Sequence, residues 1–399
     1  MATEKFKEAS PYTKPRPRPP REDYIYKHFL YFFEFSLTRA KKNTKTIYHS
    51  NATITFALFG VGRAGTIHLT NILHNSRCKL LYVVDDIEAN WSNIKKRFRL
   101  ENVSFLKSKQ SEAVFIDHNV QAVIVASPTY THQEIVTKAL AAKKAVFCEK
   151  PVAENREDTE KCYEVARLCG KPLFTAFNRR FDPSYSALRE RARNGEIGHV
   201  HTMNIISRDS PMPTIDYLRI SGGIFHDCMV HDIDMMTWIL GEYPTAVAVQ
   251  ATANVPEIKA IDDVDTVVAT LKFPSGTLGM INLSRNACYG YDMRLEAFGP
   301  KGTVRVANEQ PNHVETMYGY DGPTTAPIYY SFASRFKSAY IREMNHFLDV
   351  VLGKCEMMVQ SKETLAVSKI AAACEKSSRT GQMVELCWAA GELPEENLM

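Results

Sequence analysis

The chain has 399 residues, 45% of them hydrophobic and 24% charged, with a formal net charge of +4. These values predict a globular protein of two domains whose cores need no disulfide bonds. So small a net charge gives no reason to expect a nucleic-acid partner. The apolar run 28–37 has about half the length that a bilayer requires, so no membrane partner is expected either.

The first 50 residues are unlike the rest of the chain. They carry eleven Lys and Arg against five Asp and Glu, a local charge of +6, and include the proline-rich run 14–21. This composition predicts a basic, disordered extension at 1–50 that is either a binding arm or a dispensable tail. The aromatic stretch 24–37 could form a short helix within it. At the other end, residues 387–399 are predicted to be a C-terminal tail.

Residues 51–175 alternate between short apolar runs and helical patterns. This alternation predicts a doubly wound parallel sheet, the Rossmann fold of dinucleotide-binding domains. The predicted strands are 53–59, 79–84, 122–126 and 145–147, and the predicted helices are 66–74, 131–142 and 156–168.

Residues 176–386 follow a different rhythm. Long β-type runs succeed one another with few helices between them, which predicts an α+β domain with a large, open and mostly antiparallel sheet. The predicted strands are 199–207, 246–253, 266–273, 277–283, 293–298 and 303–306, and the predicted helices at the end are 335–352 and 362–378.

A glycine-rich turn follows the first predicted strand and opens a helix. Gly60, Gly62 and Gly65 match G-x-G-x-x-G, with Arg63 and Ala64 between the last two. In this context the glycines permit a tight turn, let backbone N–H groups approach a pyrophosphate, and allow the helix to pack close to the strand. The turn therefore predicts a dinucleotide site.

Asp85 follows the next predicted strand, 20 residues after Gly65. A carboxylate at this position can bind both ribose hydroxyls of NAD and would repel the extra phosphate of NADP. The next basic residue after Asp85 is Lys95, so a 2′-phosphate would have no obvious partner. The sequence therefore predicts NAD as the cofactor.

Two segments supply candidate catalytic side chains. Lys150 follows the predicted strand 145–147, at the carboxyl edge where doubly wound sheets bind ligands. Asp227 and His231 are four residues apart, so on a helix they would share a face. A histidine can take a hydroxyl proton while hydride leaves the carbon, and an aspartate can orient its ring. Two alternatives stand beside this prediction: a helix-terminal acid with a core histidine, and a zinc site that includes His226.

The number and spacing of the cysteines bear on disulfides, metal binding and location. There are nine, an odd number, and no two have C-x-x-C spacing. A disulfide framework or a zinc-binding cysteine cluster is therefore not expected, and no metal is predicted. Reduced thiols predict a cytoplasmic location.

Several ordered motifs carry a resemblance to a known family. They are Gly60-Val-Gly-Arg-Ala-Gly65, Ala126-Ser-Pro-Thr-Tyr-Thr-His132, Glu149-Lys-Pro151, Phe177-Asn-Arg-Arg-Phe-Asp-Pro183 and Gly222-Gly-Ile-Phe-His-Asp-Cys-Met-Val-His231. Over roughly residues 53–385 the chain resembles the glucose-fructose oxidoreductase, inositol dehydrogenase and MocA family. Segments 262–266, 284–292 and 298–302 are similar to those of myo-inositol 2-dehydrogenases. His226 and the extension 1–50 depart from the family pattern.

This resemblance implies oxidation of a cyclic polyol, with myo-inositol converted to 2-keto-myo-inositol (scyllo-inosose) and NAD as acceptor. It implies that His231 takes the proton, and that Lys150 holds the substrate oxygen and helps to relay the proton, with Asp227 as the third catalytic residue. The residues implied to bind substrate are Lys150, Arg180, Asp209, Tyr217, Asp227, His231 and Tyr291. Beyond the glycine turn and Asp85, those implied to bind cofactor are Ser127, Pro128, Thr129, His132, Glu149 and Arg180. A homodimer or homotetramer formed through the open sheet is also implied.

Two other functions remain as alternatives. A protein of the same family could act on another sugar, an amino sugar or a dihydrodiol. A different class would be a regulatory or scaffold protein that binds NAD without turnover, and the basic extension would favour it. The presence of Lys150, Asp227 and His231 argues against this class, because a non-catalytic relative is free to lose them.

Overall fold

The computed structural model describes residues 53–317, 320 and 322–394. The predicted extension 1–50, with its short helix, lies outside the described residues, as do the last five residues of the predicted tail. In the described part, no helix is both long enough and apolar enough to cross a membrane.

The first sheet is parallel and carries the glycine turn. Its strands are β1 (Ile54–Phe59), β2 (Cys78–Val84), β3 (Ser104–Leu106), β4 (Ala122–Val125), β5 (Ala145–Glu149) and β6 (Leu173–Ala176). They lie in the order β3-β2-β1-β4-β5-β6, and every pairing is parallel. The central strands are continuous apolar runs because helices cover both faces. This strand order is that of a Rossmann sheet. The chain adds β2 and β3 on one side of β1 and then β4, β5 and β6 on the other, so the topological switch point lies between β1 and β4.

Helices connect these strands. They are α1 (Arg63–His74), α2 (Trp91–Phe98), α3 (Glu112–Ile116), α4 (His132–Ala141) and α5 (Arg156–Cys169). Helix α5 begins where the Asn155 side chain accepts a hydrogen bond from the Asp158 N–H, and it ends at Gly170 in a left-handed conformation. Helix α1 has no acidic residue in its first turn, so its positive N-terminal dipole is free to attract an anion.

The second sheet is mixed and mostly antiparallel, as predicted. Its strands are β7 (Thr202–Arg208), β8 (Ala246–Thr252), β9 (Thr266–Lys272), β10 (Leu278–Ser284), β11 (Asp292–Gly299), β12 (Gly302–Val306) and, after the hairpin of β13 (Glu315–Thr316) and β14 (Thr324–Thr325), β15 (Val384–Glu385). The order is β12-β11-β7-β10-β9-β8-β15. Among these described strands, β7 and β10 are the one parallel pair.

The helices after β6 are α6 (Pro183–Arg193), α7 (Ile215–Leu218), α8 (Val230–Leu240), α9 (Pro256–Lys259), α10 (Phe332–Arg335), α11 (Lys337–Val351) and α12 (Ser361–Thr380). Of these, α6, α8 and α12 pack on the second sheet, whereas α11 packs on α1. Almost all of α8 is buried, and α12 packs on both α8 and β8. A single π-helical turn, Phe225–Met229, leads directly into α8. Alternate residues of β9 and β10 face solvent on the other side, so the sheet is open.

Candidate active site

The glycine turn between β1 and α1 is shaped for a close backbone approach. Gly60 has a φ of +85°, and a side chain there would collide with the backbone of Ala126 and Ser127. Gly65 packs so closely on the carbonyl of Gly60 that a Cβ would not fit. Above Gly62, by contrast, no protein atom of the described chain lies within 4 Å of the place that a Cβ would take. This open space at the N-terminus of α1 fits a pyrophosphate.

Asp85 lies beside the turn, directly after β2. Its Oδ2 accepts a hydrogen bond of 2.9 Å from the Val61 N–H, and its Oδ1 accepts one of 2.8 Å from the Ile87 N–H. These bonds fix the carboxylate but leave lone pairs for a ligand. In the same turn, the guanidinium of Arg63 lies 4.8 Å from the ring centre of Phe332. The turn, Ala64 within it and Asp85 together fit the dinucleotide.

The loop after β4 packs against this turn, with Ser127, Pro128 and Thr129 along it. His132, at its end, is 1% exposed. Its Nδ1 and Nε2 lie 2.8 Å from the carbonyl oxygens of Pro151 and Ser127. Both ring nitrogens thus face backbone carbonyls inside the protein, and the place of His132 beside the cofactor stays a prediction. The residue ties this loop to the loop that carries Lys150.

Lys150 directly follows β5, and the structure brings it to Asp227 in the second domain. The Lys150 Nζ donates a 2.7 Å hydrogen bond to the Asp227 backbone carbonyl and lies 3.2 Å from its Oδ1. The two side chains are 14% and 9% exposed. The amine and the carboxylate therefore form a mostly desolvated ion pair at the carboxyl edge of the Rossmann sheet.

The Asp227 carboxylate has further partners. Tyr217 donates to its Oδ1 at 2.9 Å, and Arg285 donates to its Oδ2 at 2.6 Å. Arg285 has no exposed surface and lies 3.5 Å from Asp263 through its other nitrogen. Burial would raise the pKa of Asp227, but the charges of Lys150 and Arg285 overcome it and hold that pKa well below its ordinary value. The carboxylate is therefore anionic at neutral pH.

His231 lies at the start of α8. The sequence suggested that it shares one face of a regular helix with Asp227, but Asp227 lies in the π-turn instead. Within the described residues, Nδ1 of His231 is buried without a partner, and the ring packs edge-on against Phe177 with 6.3 Å between centres. Burial, aided by the charges of Lys150 and Arg179, lowers the pKa of His231 well below 6.5. The neutral ring can accept a proton.

Asp209 directly follows β7 and Tyr291 directly precedes β11, the neighbouring strand of the second sheet. Tyr291 is buried and Asp209 is half-buried. Burial and the nearby charge of Asp227 raise the pKa of Asp209, against the effect of Arg63. Burial also raises the pKa of Tyr291, to which Asp209 contributes. These two groups and Tyr217 are thus gathered around the ion pair, where they stay predicted substrate contacts.

Arg180 does not reach the site. Its side chain is fully buried, its Nη2 lies 2.6 Å from Asp234, and its Nη1 donates to Glu363 at 2.9 Å and to the Met358 carbonyl at 3.1 Å. Its Nε also donates to Asp234. The prediction that Arg180 binds cofactor and substrate is therefore wrong, because its buried guanidinium pairs with Asp234 of α8 and Glu363 of α12.

His226 also turns away from the ion pair. Its Nε2 lies 3.1 Å from the Glu375 carboxylate of α12, whereas the neighbouring Asp227 points to Lys150 and Arg285. Over the described ranges, no group of three or more His, Cys, Asp or Glu could hold a metal ion. The zinc alternative has no ligand set in this structure.

Sequence reasoning missed two buried side chains. Arg285 lies directly after β10, and His68 lies in α1 with its Nε2 2.8 Å from Oε1 of Glu149. Arg285 stands within the segment 284–292 that carried the family resemblance, but nothing local to it indicates a partner 58 residues earlier.

These features define a class of protein. A Rossmann sheet whose carboxyl edge holds a turn shaped for pyrophosphate, a paired lysine and a neutral histidine is the site of a nicotinamide-dependent oxidoreductase. The family model for the oxidoreductase family with an NAD-binding Rossmann fold matches residues 54–177, and that for the GFO/IDH/MocA C-terminal domain matches residues 185–305. The chain belongs to the GFO/IDH/MocA family of NAD-binding oxidoreductases.

Curated relatives and solved structures agree with this placement. The chain is 37% identical to a myo-inositol 2-dehydrogenase of Thermotoga maritima, over 82% of this chain and 97% of that one. It is 36% identical to an inositol 2-dehydrogenase of Rhizobium meliloti, over 82% and 97%. A myo-inositol dehydrogenase structure from Corynebacterium glutamicum matches with a TM-score of 0.76 at 32% identity, over 84% and 100%. A scyllo-inositol dehydrogenase structure from Lactobacillus casei, with bound NAD(H) and scyllo-inositol, matches with a TM-score of 0.76 at 26% identity, over 84% and 99%.

Proposed function

We propose that the protein oxidises myo-inositol to 2-keto-myo-inositol with NAD⁺ as hydride acceptor. The observation that carries this proposal is the buried pair of Lys150 and Asp227, with neutral His231 beside it, at the carboxyl edge of the Rossmann sheet. The substrate class is supported by relatives named myo-inositol and inositol 2-dehydrogenase that match over 97% of their length.

The side chains divide the reaction between a proton and a hydride. Bound NAD⁺ would accept the hydride from the reacting carbon. His231 takes the hydroxyl proton as general base. Its ring is neutral because burial lowers its pKa. The Lys150 ammonium donates a hydrogen bond to the substrate oxygen and stabilises the negative charge that develops there. Asp227 holds that ammonium in place and, because Arg285 also pairs with it, stays ionised through the reaction.

The polar groups around the pair suit an uncharged ring with many hydroxyls. Each hydroxyl of a cyclic polyol both donates and accepts hydrogen bonds, so it needs partners of both kinds. Asp209 offers acceptors and the Tyr291 phenol offers both, whereas the Tyr217 phenol, whose O–H donates to Asp227, offers an acceptor. Another sugar, an amino sugar or a dihydrodiol would use the same Lys150 and His231, so these substrates remain the alternative within the family.

The test is an assay of the purified full chain. With myo-inositol and NAD⁺, absorbance of NADH should rise and 2-keto-myo-inositol should accumulate. A panel of scyllo-inositol, aldoses, amino sugars and dihydrodiols, each with NAD⁺ and with NADP⁺, provides the comparison. Turnover of another member with myo-inositol inert would contradict the substrate. Tight NAD⁺ binding without turnover of any member would favour the regulatory or scaffold alternative.

We further propose that copies of the chain associate through the outer face of the second sheet, as a dimer or tetramer. This face exposes Val268 on β9, Leu278 and Met280 on β10, and Phe298 on β11, each at least 42% accessible. Apolar side chains exposed on one sheet face favour association. Light scattering on the purified protein measures the number of copies. The nine free thiols support a cytoplasmic location, which is also part of the proposal.

A further inference from the structure

Glu149, the residue before Lys150, is held by a histidine from the first helix. His68 has no exposed surface, and its Nε2 lies 2.8 Å from Oε1 of Glu149, whose side chain keeps 13% of its surface exposed. Because an ionised carboxylate can only accept a hydrogen bond, Nε2 carries a proton, and in the ring's uncharged form Nδ1 is then an acceptor. That Nδ1 is buried and has no partner among the described residues.

A second acid lies behind this histidine. Glu343 of α11 is fully buried, and both of its carboxyl oxygens lack a protein partner in the described chain. Its helix α11 is joined to α1 and the residues after it by three contacts: the edge-on packing of Tyr340 on His68, the Asn345–Asn75 hydrogen bond of 2.8 Å and the Asp349–Arg77 ion pair of 2.6 Å. Residues three apart share a helix face, so Glu343 lies on the same side of α11 as Tyr340, which contacts His68.

The same interface contains one more unpartnered polar group. Asn71 lies three residues after His68, on the same face of α1, and its Nδ2 is buried without a protein partner over the described ranges. Buried polar groups in native proteins bond to one another or to internal water. These three unpartnered groups, the Nδ1 of His68, the amide of Asn71 and the carboxyl group of Glu343, make up the polar site of an interface in which Phe147 packs on both His68 and Phe347.

The charge state of Glu343 follows from its surroundings. No cation pairs with it in the described structure, and the charge of Glu149 is close by, so an ionised Glu343 would be both desolvated and repelled. Burial first, and Glu149 second, raise the pKa of Glu343 well above its ordinary value. For Glu149 itself, burial is outweighed by the hydrogen bond from His68 and by the charges around it, including that of Lys150, so its pKa is lowered.

We propose that Glu343, His68 and Glu149 form a buried acid–histidine–acid chain, with a protonated Glu343 at its inner end, and that this chain positions the exposed oxygen of Glu149 for the nicotinamide ribose of the cofactor. The O–H of Glu343 donates to Nδ1 of His68, through a water in the polar site that Asn71 also bounds. His68 donates to Glu149 in turn. His68 and Glu343 are positioning residues, and the proposal rests on the use of NAD proposed above.

Substitutions at His68 test the outer half of the chain. His68→Leu should raise the KM for NAD⁺ and its dissociation constant about tenfold, the loss expected for a charge-assisted hydrogen bond, while kcat changes less than about twofold. His68→Gln, which keeps an N–H donor at similar reach, should recover most of the binding. His74→Leu is the matched control, because His74 is an exposed histidine of the same helix. Unchanged NAD⁺ binding in folded His68→Leu would overturn the proposal.

A double variant separates this role from a loss of stability. If His68 acts through Glu149, then adding His68→Leu to Glu149→Gln should not weaken NAD⁺ binding further. Independent, additive losses would contradict the chain. Calorimetric binding of NAD⁺ needs no polyol, so an error in the proposed substrate leaves this result intact, and a wild-type protein that fails to bind NAD⁺ would instead disprove the proposed function.

Infrared spectroscopy tests the inner half without any ligand. The wild-type protein at neutral pH should show the carbonyl band of a protonated, buried carboxylic acid, and the nearly isosteric Glu343→Gln should lose it. A difference between the wild-type and Glu343→Gln spectra that lacks this band would show that Glu343 is not the protonated member and would overturn the proposal.

Discussion

The two walls of the active-site crevice are built in different ways. The cofactor wall is mostly backbone: Gly60 to Gly65 form one contiguous turn, and Asp85 is fixed to it by a main-chain N–H. The substrate wall is built from side chains of distant segments, with Tyr217 and Arg285 converging on Asp227. A local backbone site depends on glycines and tolerates changes elsewhere, whereas a charge network depends on each of its members.

The largest effect is expected at Lys150, where the two walls meet. Lys150→Ala should lower kcat by about 10³-fold, since the reaction loses a positioned hydrogen-bond donor and charge at the reacting oxygen. NAD⁺ affinity should change little, because the glycine turn is intact. Steady-state kinetics and calorimetry measure the two quantities, and the control is Lys138→Ala, a half-buried lysine of α4 that pairs with Glu134. Equal losses of kcat and NAD⁺ affinity would contradict a division between the walls.

Arg285 and Arg180 make a matched pair of buried arginines. Each pairs with a buried aspartate, but Arg285 pairs with Asp227 at the site and Arg180 with Asp234 outside it. Each substitution to Met should destabilise the fold by about 3–5 kcal/mol, because a buried carboxylate loses its partner. Arg285→Met should also lower kcat/KM of the folded protein about 100-fold, whereas Arg180→Met should not. Urea unfolding measures the two losses of stability, and steady-state kinetics measures kcat/KM. Equal losses of kcat/KM in the two variants would show that Arg180 also acts at the active site.

Asp85 gives a smaller effect on the cofactor wall. Asp85→Ser should reduce the preference for NAD⁺ over NADP⁺ about tenfold, since the carboxylate that binds ribose and repels a 2′-phosphate is removed. The ratio of kcat/KM for the two cofactors measures it. An unchanged ratio would mean that another group selects the cofactor.

The smallest effect concerns pH. The folded pKa of His231 lies well below 6.5, so the base is already neutral at pH 6.5, and kcat/KM should change less than about twofold from there to pH 8. Because folding depresses this pKa, the contribution of His231 to stability is complete above about pH 6.5 and is lost as the pH falls toward the folded value. A rate that rises tenfold between pH 6 and 7 would contradict a neutral buried base.

The cofactor wall was easier to predict from the sequence than the substrate wall. Its signals are local: G-x-G-x-x-G between a strand and a helix, and an acid after the next strand. Apolar runs in alternation with helical patterns likewise predicted the parallel sheet, although its short strands β3 and β6 were left out.

The substrate wall was readable only in part. Lys150, Asp227 and His231 were found through motifs, but Arg285 was not, because its partner lies far along the chain and is revealed only by tertiary packing. Arg180 was misplaced for a related reason: its motif suggested a ligand contact, whereas Asp234 and Glu363 enclose it. His132 was predicted at the cofactor for its place in the loop, which stays a prediction, and both of its ring nitrogens face backbone carbonyls.

The π-turn of Phe225–Met229 has a consequence for how this family can change. A π-turn accommodates one more residue than a regular helical turn. We therefore expect that a variant lacking one residue of Phe225–Met229 would keep the register of α8 in the core. Loss of a single residue there would rotate Asp227 away from the amine while the buried side chains downstream keep their places. A single deletion there is thus expected to give a stable dinucleotide-binding protein without turnover.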